Sequence, residues 1–264
     1  MMDNKEIKAY LPPDYPSVSG IIAGVSKGQV WADYTHLPGI YVTYSYCVGG
    51  CGIVGDLTEY SNEEIKSFLE KVFSDLRSVG EDSFEFSSEN EGIYARILDV
   101  FKDKEIDSEI EYSFFGKSKW EEEVTIPEEV SIQQVDHNLI EKIENGKVKN
   151  GEMFSERFMN SWKDEESFFA NSASFVAIRK DTIVGIIFGS ATYEHRCAID
   201  IEVEEEYRRK KIARRLTVEM LNYLVDRGYE LQWDCTQSNE ISRRVAGSMG
   251  FEQIRERPYY WFEI

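Results

Sequence analysis

Two successive stretches of this 264-residue chain carry the same order of elements, strand–helix–strand–helix–strand. In the first, Ser61 and Glu64 form a capping box, and Ile65, Phe68, Leu69, Val72, Phe73 and Leu76 follow at helical spacing. Gly80 stands where a C-terminal cap belongs. Residues 30–34 and 40–47, rich in Val, Ile and Tyr, predict strands, as do residues 83–86. A second capping box, Ser88 with Glu91, opens a helix through Ile93, Ile97 and Phe101, and residues 105–115 alternate as a strand does. In the second stretch, residues 131–135 predict a strand and two short helices follow, around 139–143 and 155–162. A hairpin over 174–178 and 183–193 turns at Asp181-Thr182, and 197–203 continues the sheet. Ile212, Leu216, Met220 and Leu224, four apart each time, predict a helix that ends at Gly228. A strand at 230–235, a helix from Asn239 to Met249 and strands at 251–254 and 259–262 close the chain. The repeated order reads as a structural duplication in an α/β (α+β) protein. The acidic, Pro-containing stretch 121–129 reads as the linker, which puts the domains at 1–128 and 129–264.

Composition narrows the function classes. Thirty basic against 49 acidic side chains leave a net charge of −19, which argues against broad nucleic-acid or acidic-membrane binding and suits a small cationic substrate. With 42% hydrophobic residues there is material for a core. No apolar run is long enough to span a membrane, the first residues do not resemble a secretory signal, and four cysteines are too few for a disulfide scaffold. A cytoplasmic protein is expected. Cys47 and Cys51 lack a second close pair, Cys197 and Cys235 are isolated, and His36, His137 and His195 show no ligand spacing, so no metal is expected. Gly50-Cys51-Gly52-Ile53-Val54-Gly55 fits G-x-G-x-x-G, but the capped helix starts only at Ser61, so the segment reads as a glycine-rich turn.

The most informative segment is Arg208-Arg209-Lys210-Lys211-Ile212-Ala213-Arg214-Arg215, six cations in eight residues of an acidic chain. It follows a predicted strand and opens a predicted helix, where unpaired N–H groups and the positive dipole end favour phosphate. A solvated helix face is the alternative.

This segment resembles the pyrophosphate loop of GNAT acyltransferases, Arg/Gln-x-x-Gly-x-Gly/Ala. Asn239, Ser242, Gly250 and Phe251 resemble a second signature of that family, and together with Trp233-Asp234-Cys235 they look most like the zwittermicin-resistance-type acetyltransferases. The resemblance is strongest over 174–262. It implies the GNAT acyl-CoA N-acyltransferase fold, with a central mixed, mostly antiparallel sheet, preceded by a degenerate GNAT-like N-terminal domain. It also implies acetyl-CoA as co-substrate and a small-molecule amine as acceptor, with a homodimer as one arrangement. Ile201, Glu202 and Val203 would then meet the pantetheine and thioester through the backbone. Arg208, Arg209, Lys210, Lys211, Ile212, Ala213 and Arg214 would surround the pyrophosphate, and Asn239 and Ser242 would assist.

Two departures matter. Lys211 replaces the first loop glycine and is strained if its φ is positive. Ala246 stands where many GNATs carry the tyrosine that protonates the leaving thiolate; Tyr259, Tyr260, Cys235 or water are the candidate replacements. The acceptor ammonium, with a pKa near 10.4, costs roughly 4–5 kcal/mol to deprotonate at pH 7, so a base outweighs an acid in importance. Asp234 and Glu202 are the catalytic candidates, with His195 a weaker one. The stripe Met153, Phe154, Phe158, Met159, Trp162, Phe168 and Phe169 reads as core before it reads as acceptor pocket. A CoA-binding pseudoenzyme and a nucleic-acid-binding module are the rival readings.

Overall fold

In the computed structural model, which describes residues 11–264, eleven strands form one sheet. The first half supplies α1 (Pro16–Ile22), β1 (Gln29–Asp33), β2 (Ile40–Ser45), β3 (Gly50–Gly55), α2 (Asn62–Ser78), β4 (Ser83–Ser88), α3 (Glu91–Val100) and β5 (Asp107–Gly116). The second supplies β6 (Ser131–Gln134), α4 (His137–Glu144), α5 (Glu152–Ser161), α6 (Glu165–Asn171), β7 (Ser174–Arg179), β8 (Thr182–Tyr193) and β9 (Arg196–Val203). A short 3-10 turn at Glu205–Tyr207 leads into α7 (Ile212–Asp226), β10 (Glu230–Thr236), α8 (Glu240–Ser248) and β11 (Glu252–Glu263).

The strand order is β1-β2-β3-β4-β11-β5-β10-β9-β8-β7-β6. Only β3/β4 and β9/β10 pair in parallel; the other neighbours are antiparallel. Each half lends its last strand to the other. β5 pairs with β10 from Leu231↔Gly116 to Thr236↔Glu111, and β11 pairs with β4 from Tyr259↔Ser87 to Glu263↔Ser83. β5 and β11 then pair with each other and form the middle of the sheet. The ladder hydrogen bonds therefore run unbroken between the halves.

Helical periodicity decides which faces are covered. The buried stripe of α2, Ile65, Phe68, Leu69, Val72, Phe73 and Leu76, packs with Phe84, Phe86 and Phe262. Leu216, Met220, Leu221 and Leu224 of α7 pack with Trp233, Phe251 and Ala246. Phe154, Trp162 and Phe168 fill a third cluster against Phe188, so the aromatic stripe of the second half is mostly core, with Met159 exposed at its edge.

Several sequence expectations change. Gly50–Gly55 is a strand rather than a turn: α1 crosses it so closely that a β-carbon on Gly52 would lie 1.9 Å from Val18 Cγ2. Ser88 does not cap α3; Asn90 does, while the Ser88 hydroxyl donates to Ile53 O. The two closing strands are one, β11, with a bulge between Gln253 and Arg255. The stretch 121–129 has no regular structure, but it is not loose. Val124 is buried, and the Val124 carbonyl accepts from Arg215 of α7.

Candidate active site

β9 and β10 stay together for only three residue pairs, Glu230↔Arg196, Leu231↔Cys197 and Gln232↔Ala198. Beyond them β9 continues against β8 and β10 against β5. The two strands part, and the wedge between them exposes backbone edges that no strand covers. Four residues separate Ile199, near its apex, from Val203, at its mouth, a run of about 13 Å at roughly 3.3 Å per residue.

At the mouth lies the basic segment. Arg209 and Lys211 both hold left-handed backbone, with φ of 61° and 62°, and Lys211 is the N-cap of α7. Among the described residues, the N–H groups of residues 209–214 find no backbone acceptor; the first bond of the helix is Arg215 N to Lys211 O. The result is a row of donors, backed by the dipole of a 15-residue helix. The cations are not equivalent. Arg208 Nε donates to Val203 O, Lys210 lies over the Tyr207 ring, Arg214 over the Trp120 ring, and Arg215 pairs with Glu219. Arg209 and Lys211 are exposed and form no ion pair among the described residues.

At the apex is a cavity of about 370 Å³, walled by both halves of the chain. Ile199, Asp200, Asp234, Cys235 and Asn239 come from the wedge, Thr43, Cys51 and Gly52 from β2 and β3, Tyr15 and Val18 from α1 and the residue before it, and Glu111, Arg257 and Tyr259 from β5 and β11. Arg257 Nε donates to Glu111 Oε2 at 2.6 Å, its Nη1 lies 2.6 Å from Glu89, and its guanidinium stacks 3.7 Å from the Tyr15 ring. Burial opposes the Arg257 charge, but Glu111, Tyr15, Asp234 and Glu89 outweigh it and hold the guanidinium well above its ordinary value. Burial pushes the Tyr15 phenol up to about 12 and raises the Tyr259 phenol and the Cys235 thiol, so all three are protonated at neutral pH.

The GNAT acetyltransferase family model matches residues 14–260. The chain belongs to the GNAT acetyltransferase family. No curated relative matches it by sequence. A GCN5-related N-acetyltransferase-like protein from Streptococcus suis is 18% identical over 89% of this chain and 88% of that chain, with a TM-score of 0.63. A tandem GNAT protein from the clavulanic acid biosynthesis pathway is 9% identical over 96% and 89%, with a TM-score of 0.58. A GNAT-family acetyltransferase from Colwellia psychrerythraea is 12% identical over 100% and 98%, with a TM-score of 0.57. At these identities the likeness is one of fold.

Acetyl-CoA is the acyl donor of GNAT acetyltransferases, and the row of N–H groups without a backbone acceptor among the described residues, with Arg209 and Lys211 exposed beside it, is a fitting donor set for its diphosphate. The other sequence-level candidates fall into two groups. Asp234 and Asn239 line the cavity. Asp234 makes no ion pair among the described residues; both its oxygens accept from Gln232 Nε2, at 3.0 and 2.8 Å. Asn239 caps α8 by accepting from Ser242 N, and the Ser242 hydroxyl accepts from the buried Trp233 indole at 2.7 Å. Glu202 lies outside the cavity wall, exposed, with Arg157 Nη2 2.7 Å away, and Asp200 takes the same guanidinium at 2.6 Å. Ala246 is fully buried in the core beneath α8. His195 sits at the closed end of the β9/β10 pair, 3.8 Å from Glu230. Tyr260 packs against Phe86 and Tyr94 in the first-half core, whereas Tyr259 and Cys235 reach the cavity. Sequence reading missed Tyr15, Glu111 and Arg257, because nothing local in the chain links them to the wedge.

The first half shows the same wedge without its chemistry. β3 and β4 pair over Cys51↔Phe86, Gly52↔Ser87 and Ile53↔Ser88. Ser88 Oγ and Asn90 Nδ2 then reach across to Ile53 O and Gly55 O and close the gap. The loop into α2 carries Asp56 and Glu59 and no cation. Glu64 occupies the helix start with its own carboxylate, held below its usual range by hydrogen bonds from Ser61.

Proposed function

We propose that the protein moves the acetyl group of acetyl-CoA to the amine of a small, cationic molecule, and that residues 129–264 form the domain that binds the cofactor while residues 1–128 form a degenerate GNAT-like domain that completes the cavity wall. The observation that carries this reading is the left-handed basic turn at the mouth of a wedge that ends in a carboxylate-bearing cavity. Bound acetyl-CoA supplies an activated thioester. Arg209, Lys211 and the N–H groups up to Arg214 hold its diphosphate. The uncovered edge of β9, at Ile201, Glu202 and Val203, aligns the pantetheine arm and polarises the thioester carbonyl. Asp234, a cavity carboxylate with no ion pair among the described residues, receives the incoming ammonium. The string Trp233-Asp234-Cys235 with Asn239 and Ser242 supports placement near the zwittermicin-resistance type within the family.

Arg209→Ala tests the cofactor site. A charge-assisted hydrogen bond to phosphate contributes roughly 1.5–3 kcal/mol, so acetyl-CoA affinity by calorimetry should fall about tenfold or more. Unchanged affinity would remove the turn from the site. A second reading, a CoA-binding pseudoenzyme, draws on Ala246, whose burial leaves no room on α8 for the usual acid. Free-thiol release across a broad amine library separates the two: binding without release in any case selects the second.

A further inference from the structure

We infer that Glu111, from the first half of the chain, is the catalytic base that takes the proton from the acceptor amine, an assignment that rests on the acetyl-transfer reading above. The strand exchange puts it there. On β5, Glu111 stands opposite Thr236 of β10 on one side and Arg257 of β11 on the other, two residue pairs from Asp234↔Ser113 and so on the same face. Its carboxylate lines the cavity.

The two carboxylate oxygens have different surroundings. Oε2 takes both contacts from Arg257, through Nε and Nη2. Oε1 has no hydrogen-bond partner among the described residues, yet it is not among the sealed polar atoms that lack one; the side chain keeps 20% of its surface, toward the cavity. Arg257 is itself fixed by Glu89 and by the Tyr15 ring, so Oε1 is held in one direction. Asp234 differs, with both oxygens already accepting from Gln232. The pair thus divides the work: Asp234 steadies the ammonium and Glu111 removes its proton.

The charged and titratable neighbours of Glu111 are Arg255, Arg257 and Tyr259 on β11, Asp234 and Cys235 on β10, and Tyr15 ahead of α1. Glu89 shares the Arg257 guanidinium. Burial raises the Glu111 pKa against the pull of Arg257, and the Asp234 charge raises it further. A raised carboxylate is the stronger base for an ammonium.

One ammonium N–H bond breaks and an O–H bond forms on Glu111. The freed nitrogen lone pair attacks the thioester carbon and the C–S bond breaks. A second nitrogen proton leaves with the sulfur as thiol. Amide, thiol and protonated Glu111 result, and Glu111 returns its proton to solvent.

The test compares Glu111→Gln, Glu111→Asp and Asp234→Asn with the unmodified protein, in acetyl-CoA calorimetry, thermal melts and kcat/KM against pH by thiol release. Glu111→Gln should bind acetyl-CoA within about twofold, lose about 100-fold or more in kcat, and lose the low-pH limb of the profile. Asp234→Asn should raise the amine KM and keep that limb. Glu111→Asp, which preserves the charge opposite Arg257, guards against loss of fold: about a tenfold lower kcat with the limb retained supports the assignment. A folded Glu111→Gln with kcat within about threefold overturns it, as does undiminished kcat in Glu111→Asp, and acetyl transfer itself then still stands. Unmodified protein that binds acetyl-CoA but releases no thiol with any amine overturns both.

Discussion

Arg209 and Lys211 stand in left-handed backbone that L side chains rarely adopt. Such a residue costs roughly 1–2 kcal/mol, and strain of this kind collects where geometry serves a site. Lys211→Gly should relieve it, less the 0.5–1 kcal/mol or so of extra unfolded-chain entropy that glycine brings. The expected outcome is a net gain of about 0.5–1 kcal/mol in urea unfolding together with weaker acetyl-CoA binding, since the ammonium goes while the N–H row stays. A loss of stability would mean that Lys211 makes a compensating contact. The residue types of this turn were legible in the sequence; their division of labour was not. Six neighbouring cations look alike on paper, yet Trp120, Tyr207, Val203 and Glu219 engage four of them. Those partners are set by packing.

Elements show how one plan yields an open wedge and a closed one. α7 begins with donors that find no acceptor among the described residues, whereas α2 begins with a capping box that uses its own carboxylate. The first-half wedge is closed by Ser88 and Asn90, while α1 presses on β3 at Gly52, where β3 still pairs with β4. Gly52→Ala puts a methyl into Val18 and, at about 1–3 kcal/mol for overpacking, should lower the melting temperature and displace α1 from the cavity wall. An unchanged melt and unchanged acceptor KM would show that α1 shifts freely. G-x-G-x-x-G misled as a turn because glycine marks turns in most chains; here it marks close approach of a helix to a strand.

At the scale of the whole molecule, the net charge of −19 works against the compact state. Screening it should help. Raising salt from about 10 mM to 150 mM shortens the Debye length from about 30 Å to 8 Å. The melting temperature should then rise by about 2–4 °C for each kcal/mol of repulsion relieved. A fall on adding salt would place the balance instead in the attractive clusters around Arg157, Arg196 and Arg257.

The sequence alone determined most of the helices, the basic turn and the family, since each rests on residues within a few positions of one another, where periodicity and turn chemistry act; the cap of α3, read at Ser88, falls at Asn90. The tertiary structure alone decided that β5 and β11 change places, and so that Tyr15, Glu111, Asp234 and Arg257 share one cavity. Strand pairing depends on hydrogen bonds between distant backbones, and two strands with the same alternation carry no local mark of which neighbour each will take.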